Sequence, residues 1–293
     1  MKTFIFALDG LEYNLVHKWK LKSLMQLRYD TYNASGLELL TTPICFSAIL
    51  FGEDPRNHGF TFDYVTKGSA SGYNPLLRPL YWFRRKLLWK WKDLGLRKEA
   101  IKIGGFNAQK VRYNMSEEMR NHTVLKKLEK EGYRIKTDNI PSYDEVPKQN
   151  LRGTLFQMIG KALYKRQEYI DELMNIIRKR FIRNIEEIPN QDMIFIYSPL
   201  PDIAHHLVHE EQDIELLLRN VYKGLDELVG NFLLKNVAML ILSDHGFNHS
   251  FDRTGKCIEN EHSIRGYWSL NLEIEGAETI FDFHDLIYKL IKI

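Results

Sequence analysis

Short apolar runs of strand length alternate along this chain with longer segments of helical periodicity, and this alternation restricts the fold more than any other feature. Apolar runs of this kind suit parallel strands, because helices bury both faces of a parallel sheet. Strands are predicted at residues 3–8, 37–40, 100–104, 134–137, 193–197, 237–242 and 267–274. The sequence therefore predicts an α/β protein with a mostly parallel central sheet and helices on both faces.

The helical segments between these runs complete the pattern. Helices are predicted at residues 12–27, 44–51, 124–131, 166–185, 213–234 and 281–291. The 293 residues are enough for one large α/β unit, so a single domain over residues 1–293 is predicted. Residues 60–110 fit the alternation worst, because they are rich first in Gly, Tyr and Trp and then in basic residues. We predict that they form a cap-like insertion within the domain.

Six ionisable side chains lie at or beside the ends of predicted strands, where open parallel sheets bind ligands. They are Asp9, Asp202, His206, Asp244, His245 and His262. Asp202 and His206 are four residues apart, so a helix after Pro201 would place both on one face. Aspartate and histidine suit zinc or manganese rather than metals selected by thiolates. Each residue alone is more typical of a turn, a cap or a solvated surface, but their joint placement predicts a metal site.

A threonine followed by proline adds a hydroxyl group to this set. Thr42 and Pro43 come directly before a predicted helix, which indicates an N-cap threonine with proline at the first helical position. The positive end of a helix favours a phosphate oxyanion through its backbone N–H groups. Thr42 is therefore either a helix cap alone or the residue whose hydroxyl meets a phosphate.

These residues lie in blocks that resemble the alkaline phosphatase superfamily, specifically its type I phosphodiesterase and nucleotide pyrophosphatase branch. The blocks are residues 7–10, 42–60, 201–206 and 243–247, with His262 downstream. The family's nucleophile lies ten residues before the first glycine of a Gly-x-x-Pro-x-x-His-Gly element, and counting back from Gly52 reaches Thr42. The resemblance extends from residue 3 to about residue 270, whereas residues 60–109 have little counterpart in the family.

The resemblance implies an alkaline-phosphatase-like fold and two divalent metal ions, zinc with manganese as the alternative. The implied ligands are Asp202, His206 and His262 for one ion, and Asp9, Asp244, His245 and Thr42 for the other. Thr42 would also be the nucleophile, since metal coordination activates an otherwise weak hydroxyl. The implied activity is hydrolysis of phosphodiester or phosphoanhydride bonds in a small, nucleotide-like substrate. The alternative is a phosphomonoesterase or phosphomutase of the same superfamily.

Neighbouring residues leave two of these assignments open. Thr41 is the alternative nucleophile if the loop is one residue shorter than in the family, and His205 is the alternative ligand to His206. The four-residue spacing from Asp202 favours His206. The remaining histidines considered are His58, which is predicted to be structural, and His209 and His249, which are predicted to be exposed.

The two cysteines, Cys45 and Cys257, are far apart in unlike contexts, which argues against a disulfide framework or a zinc ribbon. Cys45 stands where nucleotide pyrophosphatases of the family often carry an asparagine that donates to the oxyanion. Sulfatase chemistry is not expected, because Cys45 lacks the x-Pro-x-Arg continuation. No run approaches the roughly 18 apolar residues of a membrane span, so a cytoplasmic protein is expected.

The net charge of +3 conceals a basic stretch at residues 78–136 and an acidic stretch at residues 186–293. Within the basic stretch, residues 82–92, from Trp82 to Lys92, interleave aromatic rings with lysine and arginine. Such a segment has three interpretations: a surface for nucleic acid or an anionic membrane, an amphipathic helix whose aromatic face packs on the core, or a segment in which Arg84, Arg85 or Lys86 faces the metal site and selects an anionic substrate. The first interpretation defines a third candidate function, that of a non-catalytic binding protein.

Overall fold

The computed structural model describes residues 1–65, 114–146, 151–232 and 236–293. The chain divides into two compact units, one of residues Met1–Thr61 with Asn114–Ile293 and one of residues Phe62–Tyr113. The predicted strand at 100–104 and the basic aromatic segment at 82–92 lie outside the described residues. The cap-like role of residues 60–110 stays a prediction.

Eight strands lie in the described part of the chain. They are β1 (Lys2–Leu8), β2 (Arg28–Asn33), β3 (Ile135–Asp138), β4 (Met193–Ser198), β5 (Val237–Leu242), β6 (Gly246–Phe251), β7 (Cys257–Ser263) and β8 (Arg265–Leu270). Six form one sheet in the order β2-β8-β5-β1-β4-β3, while β6 and β7 pair separately. Strands β3, β4, β1 and β5 run parallel, and β8 is antiparallel to both of its neighbours. The prediction of a mostly parallel α/β sheet is confirmed.

The helices of the same residues cover this sheet. They are α1 (Tyr13–Lys18), α2 (Lys22–Met25), α3 (Thr42–Phe51), α4 (Glu117–Arg120), α5 (Val124–Lys130), α6 (Leu155–Met158), α7 (Leu163–Glu186), α8 (Leu200–His206), α9 (Arg219–Asn231) and α10 (Phe283–Lys292). Phe4 and Phe6 of β1 contact Phe181 of α7 on one face. On the other face, the Thr3 hydroxyl donates to the Leu290 carbonyl oxygen of α10. Both faces of β1 are thus buried, as its continuous apolar sequence requires. No described helix is both long enough and apolar enough to cross a bilayer.

Two predicted elements near the N-terminus are wrong. The helix predicted at 12–27 is broken into α1 and α2, because Lys20 between them adopts a left-handed conformation with φ of 53°. The strand predicted at 37–40 is absent from this described region, and the edge of the sheet is β2 at Arg28–Asn33 instead. The polar, aromatic sequence of β2 has no apolar run, since only one face of this edge strand is partly buried.

The hairpin of β6 and β7 was not predicted either. Its residues are mostly polar and partly exposed, so they form no apolar run of the kind that indicated the central strands. Phe247 pairs with His262 in this hairpin, and His249 pairs with Asn260. His262 therefore lies within β7, just before β8 of the main sheet.

Candidate metal centre

The carboxyl ends of three neighbouring strands bring the predicted ligands together. Asp9 follows β1 directly, Asp202 lies in α8 just beyond β4, and Asp244 and His245 join β5 to β6. The Asp202 backbone N–H donates to the Asp9 carbonyl oxygen at 2.8 Å, which holds the first turn of α8 against the end of β1. Because β4, β1 and β5 are adjacent and parallel, their ends meet at one edge of the sheet.

Asp202, His206 and His262 form the first candidate ligand group. Asp202 Oδ1 lies 3.3 Å from His206 Nε2 and 3.2 Å from His262 Nε2. The two Nε2 atoms lie 3.3 Å apart, so all three atoms converge on one point. His262 Nδ1 donates to the Leu40 carbonyl oxygen at 3.2 Å, which directs its Nε2 toward the group. The histidine side chains are 31% and 23% exposed, whereas Asp202 is buried, so the group is open to solvent on its histidine side.

Asp9, Asp202 and His245 form a second group, with one candidate ligand atom each within 4.8 Å of the others. Asp202 thus lies between the two groups, an arrangement that sequence spacing did not indicate. His245 Nε2 lies 3.2 Å from Asp9 Oδ1 and 3.5 Å from Asp244 Oδ2. The Nδ1 of His245 donates to the Gly246 carbonyl oxygen at 3.0 Å. All the side chains of this second group are fully buried, in contrast to the partly exposed histidines of the first.

The electrostatics of this buried cluster suit a cation. Both carboxylate oxygens of Asp244 are buried and accept no hydrogen bond from a donor in the described part of the chain. Burial, followed by the nearby Asp9 carboxylate, raises the pKa of Asp244 well above its usual value. Burial lowers the pKa of His245, but the Asp244 and Asp9 carboxylates outweigh it and raise the value to about 10. A cluster of buried acids around one histidine, with hard oxygen and nitrogen donors, fits a divalent metal ion.

Thr42 does not cap helix α3. Thr41 is the N-cap, with φ of −127° and ψ of 141°, and Thr42 is the first residue of the helix. The Thr42 hydroxyl instead donates to Asp9 Oδ2 at 3.2 Å. Proline has no N–H at the next position, and the N–H groups of Ile44 and Cys45 both donate to the Thr41 carbonyl oxygen at 2.9 Å. These two N–H groups are therefore used within the helix, and the expectation that the start of α3 meets a phosphate stays a prediction.

Tyr197 is a site residue that the sequence reasoning missed. Its hydroxyl donates to Asp9 Oδ2, the same oxygen that accepts from Thr42. Tyr197 lies opposite Ala7 in the parallel ladder of β1 and β4, one residue before the end of each strand. The sequence signal for this residue is a phenol next to the end of the strand beside Asp9, but within an apolar run a tyrosine is also typical of the core.

The structure separates His205 from the ligands. The His205 side chain is fully buried, and its Nδ1 and Nε2 lie 2.8 Å from His249 Nε2 and from the Tyr222 hydroxyl, respectively. With both ring nitrogens engaged, His205 does not join the ligand groups, and His206 does. The prediction that His249 and His209 are exposed is wrong, because both are half-buried.

His58 contacts residues of its own segment and the ring of His122, whose centroid lies 4.8 Å away. Its ring stacks on Phe51 with the ring centroids 4.3 Å apart, and its Nε2 lies 3.0 Å from Glu53 Oε1. These contacts connect the end of α3 to the short 3-10 helix Pro55–His58. Gly52, which ends α3 between them, has φ of 75°, a conformation that favours glycine.

Comparison with known proteins assigns the family. A model of the type I phosphodiesterase / nucleotide pyrophosphatase family matches residues 3–274. The chain belongs to this family. The resemblance inferred from the four sequence blocks is thereby confirmed. No curated protein is similar enough to count as a match.

Solved structures of ectonucleotide pyrophosphatase / phosphodiesterase 5 are among those similar to this family member. The murine protein is 13% identical with a TM-score of 0.43, covering 87% of this chain and 59% of the murine one. Its inactive variant in complex with AMP is 12% identical with a TM-score of 0.42 and the same coverage. The human protein is 12% identical with a TM-score of 0.44, covering 85% of this chain and 58% of its own. The chain thus spans about three fifths of the length of these structures.

Proposed function

We propose that this family member hydrolyses phosphodiester or phosphoanhydride bonds of a small, nucleotide-like substrate, with Thr42 as the nucleophile and two divalent metal ions. The observation that carries the proposal is the hydrogen bond from the Thr42 hydroxyl to Asp9 Oδ2 at 3.2 Å, inside the buried cluster of acids and histidines. Thr42 is the first residue of α3 and not its N-cap, so this hydrogen bond is not part of a helix cap.

The chain's residues divide between two ions in this proposal. Zinc suits the donors, and manganese is the alternative. The solvent-facing ion would be held by Asp202, His206 and His262, and the buried ion by Asp9, Asp244 and His245, with Asp202 close to both. When bound, the ions would favour the alkoxide form of Thr42 and neutralise charge on the phosphate oxygens.

Asp9 and Tyr197 prepare the hydroxyl for attack. Thr42 donates its proton to Asp9 Oδ2, so its oxygen lone pairs point away from that carboxylate and toward an incoming phosphorus atom. The Tyr197 hydroxyl donates to the same carboxylate oxygen and fixes the carboxylate's rotation. Attack forms the bond from Thr42 Oγ1 to phosphorus and breaks the bond from phosphorus to the leaving-group oxygen, while the hydroxyl proton passes to Asp9 Oδ2. In a second displacement a water oxygen bonds to phosphorus, the bond from phosphorus to Thr42 Oγ1 breaks, and the threonine oxygen takes a proton back.

Two backbone N–H groups at the start of α3 are not directed at the transferred phosphoryl group. Ile44 and Cys45 direct their N–H groups to Thr41. Burial and the carboxylates of Asp244 and Asp9 raise the pKa of the Cys45 thiol, so this side chain is neutral at physiological pH. The proposal therefore assigns charge stabilisation chiefly to the two metal ions.

The test compares two adjacent threonines. Chromogenic phosphodiester, phosphomonoester and sulfate substrates are assayed with Zn²⁺ or Mn²⁺ for the wild type, Thr42→Ala and Thr41→Ala. We expect the phosphodiester to be the preferred substrate, Thr42→Ala to lose more than about a thousandfold in kcat, and Thr41→Ala to keep most activity. Undiminished turnover by Thr42→Ala would refute the mechanism. Equal turnover of monoesters and diesters would favour the phosphomonoesterase alternative.

A further inference from the structure

The solvent-facing ligand group is assembled from two separate pieces of the fold. Asp202 and His206 belong to α8, which follows a strand of the main sheet. His262 belongs to β7 of the hairpin, which forms a sheet of its own. Its distances to Asp202 and His206 therefore depend on how the hairpin docks against α8.

A line of buried and half-buried polar side chains connects these two pieces. Asn260 Oδ1 in β7 lies 2.6 Å from His249 Nδ1 in β6. His249 Nε2 lies 2.8 Å from His205 Nδ1 in α8, and His205 Nε2 lies 2.8 Å from the Tyr222 hydroxyl in α9. The Tyr222 oxygen also accepts the Glu12 backbone N–H at 2.8 Å.

The amide of Asn260 determines the direction of these hydrogen bonds. Its Nδ2 donates to the Val208 carbonyl oxygen at 3.1 Å, so its Oδ1 accepts the proton of His249 Nδ1. His249 Nε2 must then accept from His205 Nδ1, and His205 Nε2 must accept from the Tyr222 hydroxyl. Both histidines are thereby neutral and each is held as a single tautomer.

Ring packing reinforces the same connection. The His205 ring lies flat on Phe247, with centroids 4.6 Å apart and an interplanar angle of 10°. Phe247 also contacts the edge of His206 at 5.1 Å and of His262 at 5.4 Å. Phe247 and His262 are opposite each other in the hairpin ladder, so a slide of Phe247 along α8 would carry His262 with it.

We propose that His205 and His249 are positioning residues that lock the hairpin onto α8 and thereby set the place of His262 in the solvent-facing metal site. The proposal rests on the proposed function insofar as the three ligands hold a metal ion. Stacking alone is weakly directional and tolerates a slide, whereas the hydrogen bond between the two imidazoles specifies both distance and orientation. A two-stranded hairpin is marginally stable by itself, so its geometry depends on such contacts.

The test separates the hydrogen bonds from the packing. His249→Phe keeps an aromatic ring but removes both hydrogen bonds, whereas His249→Gln can still accept from His205 and donate to Asn260. Asn260→Ala interrupts the same connection at its end and is less disruptive to packing. His58→Phe is the matched control, because His58 is also a partly buried, stacked histidine but its contacts are to Phe51, Glu53 and His122.

Metal-free protein is titrated with Co²⁺ in competition with a chromophoric chelator, and the visible absorption of bound cobalt is recorded. We expect His249→Phe and Asn260→Ala to lower the Co²⁺ affinity of one of the two sites by about 10- to 100-fold and to leave the affinity of the other unchanged. This is the usual effect of mutating residues that orient metal ligands without binding the metal themselves. His249→Gln should retain both affinities and the wild-type spectrum, and His58→Phe should do the same even if its melting temperature falls.

The outcomes distinguish this inference from the proposed function. In one outcome, wild type binds two ions and hydrolyses phosphodiesters, and His249→Phe and Asn260→Ala bind both ions as tightly as wild type does. That outcome refutes the positioning role of His205 and His249 but leaves the proposed function intact. Equal weakening of both sites in step with lost thermal stability would also refute the positioning role, since that result describes general destabilisation. If wild type binds no metal, both proposals fail.

Discussion

Two buried aspartates with opposite surroundings provide the sharpest test of the electrostatic reasoning. Asp244 is fully buried and receives no hydrogen bond from the described residues; its nearest opposite charge is His245 Nε2 at 3.5 Å, and the like-charged Asp9 carboxylate is beside it. Asp213 is equally buried, but it forms an ion pair with Arg166 at 2.7 Å and accepts the His209 backbone N–H at 2.8 Å. We predict that Asp244→Asn stabilises the metal-free protein, whereas Asp213→Asn destabilises it.

The magnitudes follow from these surroundings. A buried polar group without a partner costs about 1–3 kcal/mol, and more if it is charged. Removing one member of a buried ion pair costs about 3–5 kcal/mol. In a protein of this size each kcal/mol shifts the melting temperature by about 2 °C. The melting temperature of metal-free Asp244→Asn should therefore rise by at least about 2 °C, and that of Asp213→Asn should fall by at least about 6 °C.

The assay is thermal unfolding with a chelator and then with excess Zn²⁺. An ion at about a thousand times its dissociation constant stabilises the folded wild type by about 4 kcal/mol. Asp244→Asn should gain much less, because it has lost a ligand, so adding Zn²⁺ should reverse the order of wild type and Asp244→Asn. The reasoning is refuted if Asp244→Asn melts below wild type without metal, or if Zn²⁺ stabilises both proteins equally.

Three further predictions concern other parts of the structure. Tyr197→Phe removes a hydrogen bond to Asp9 and should lower kcat by about 10- to 100-fold without changing the metal content. Steady-state kinetics and metal analysis measure both quantities, and an unaltered kcat would contradict the role of the phenol. Burial raises the pKa of Asp213, but its arginine partner and the backbone N–H groups outweigh burial and lower the pKa below 3.8. The ionised Asp213 therefore stabilises the folded protein above about pH 3.8, and this stabilisation is lost as the pH falls below that value. Urea unfolding should therefore show that wild type loses more stability than Asp213→Asn between about pH 5 and about pH 3, and equal losses would count against the ion pair. Gly52→Ala places a methyl group 2.6 Å from His284 Cβ, at a position whose backbone is left-handed. It should destabilise the protein by more than about 2 kcal/mol in urea unfolding, and a neutral effect would show that α3 can shift.

The central strands were the most predictable part of the fold. The bounds of β5 match the predicted residues 237–242, and those of β1 and β4 differ from the prediction by one residue at an end. These strands are buried on both faces, so apolar residues fill most positions and leave a clear pattern. The edge strand β2 and the hairpin are only partly buried, and their sequences carry no comparable pattern.

The candidate ligands were predictable for a topological reason. Parallel neighbouring strands end at one edge of a sheet, so polar residues directly after them converge even when they are far apart in sequence. Asp9 and Asp244 needed only this argument. Asp202 and His206 needed the helical spacing in addition, and the structure brings all four to the same edge.

The sequence by itself determined which strands form the core of the sheet and which chemical groups meet at its edge, because both depend on local pattern. Tertiary structure alone decided that Asp202 lies between both ligand groups, that Thr42 faces Asp9 instead of capping its helix, and that His205 bonds to His249. These outcomes depend on hydrogen bonds between residues more than 30 positions apart, whose partners exist only once the strands and helices have packed.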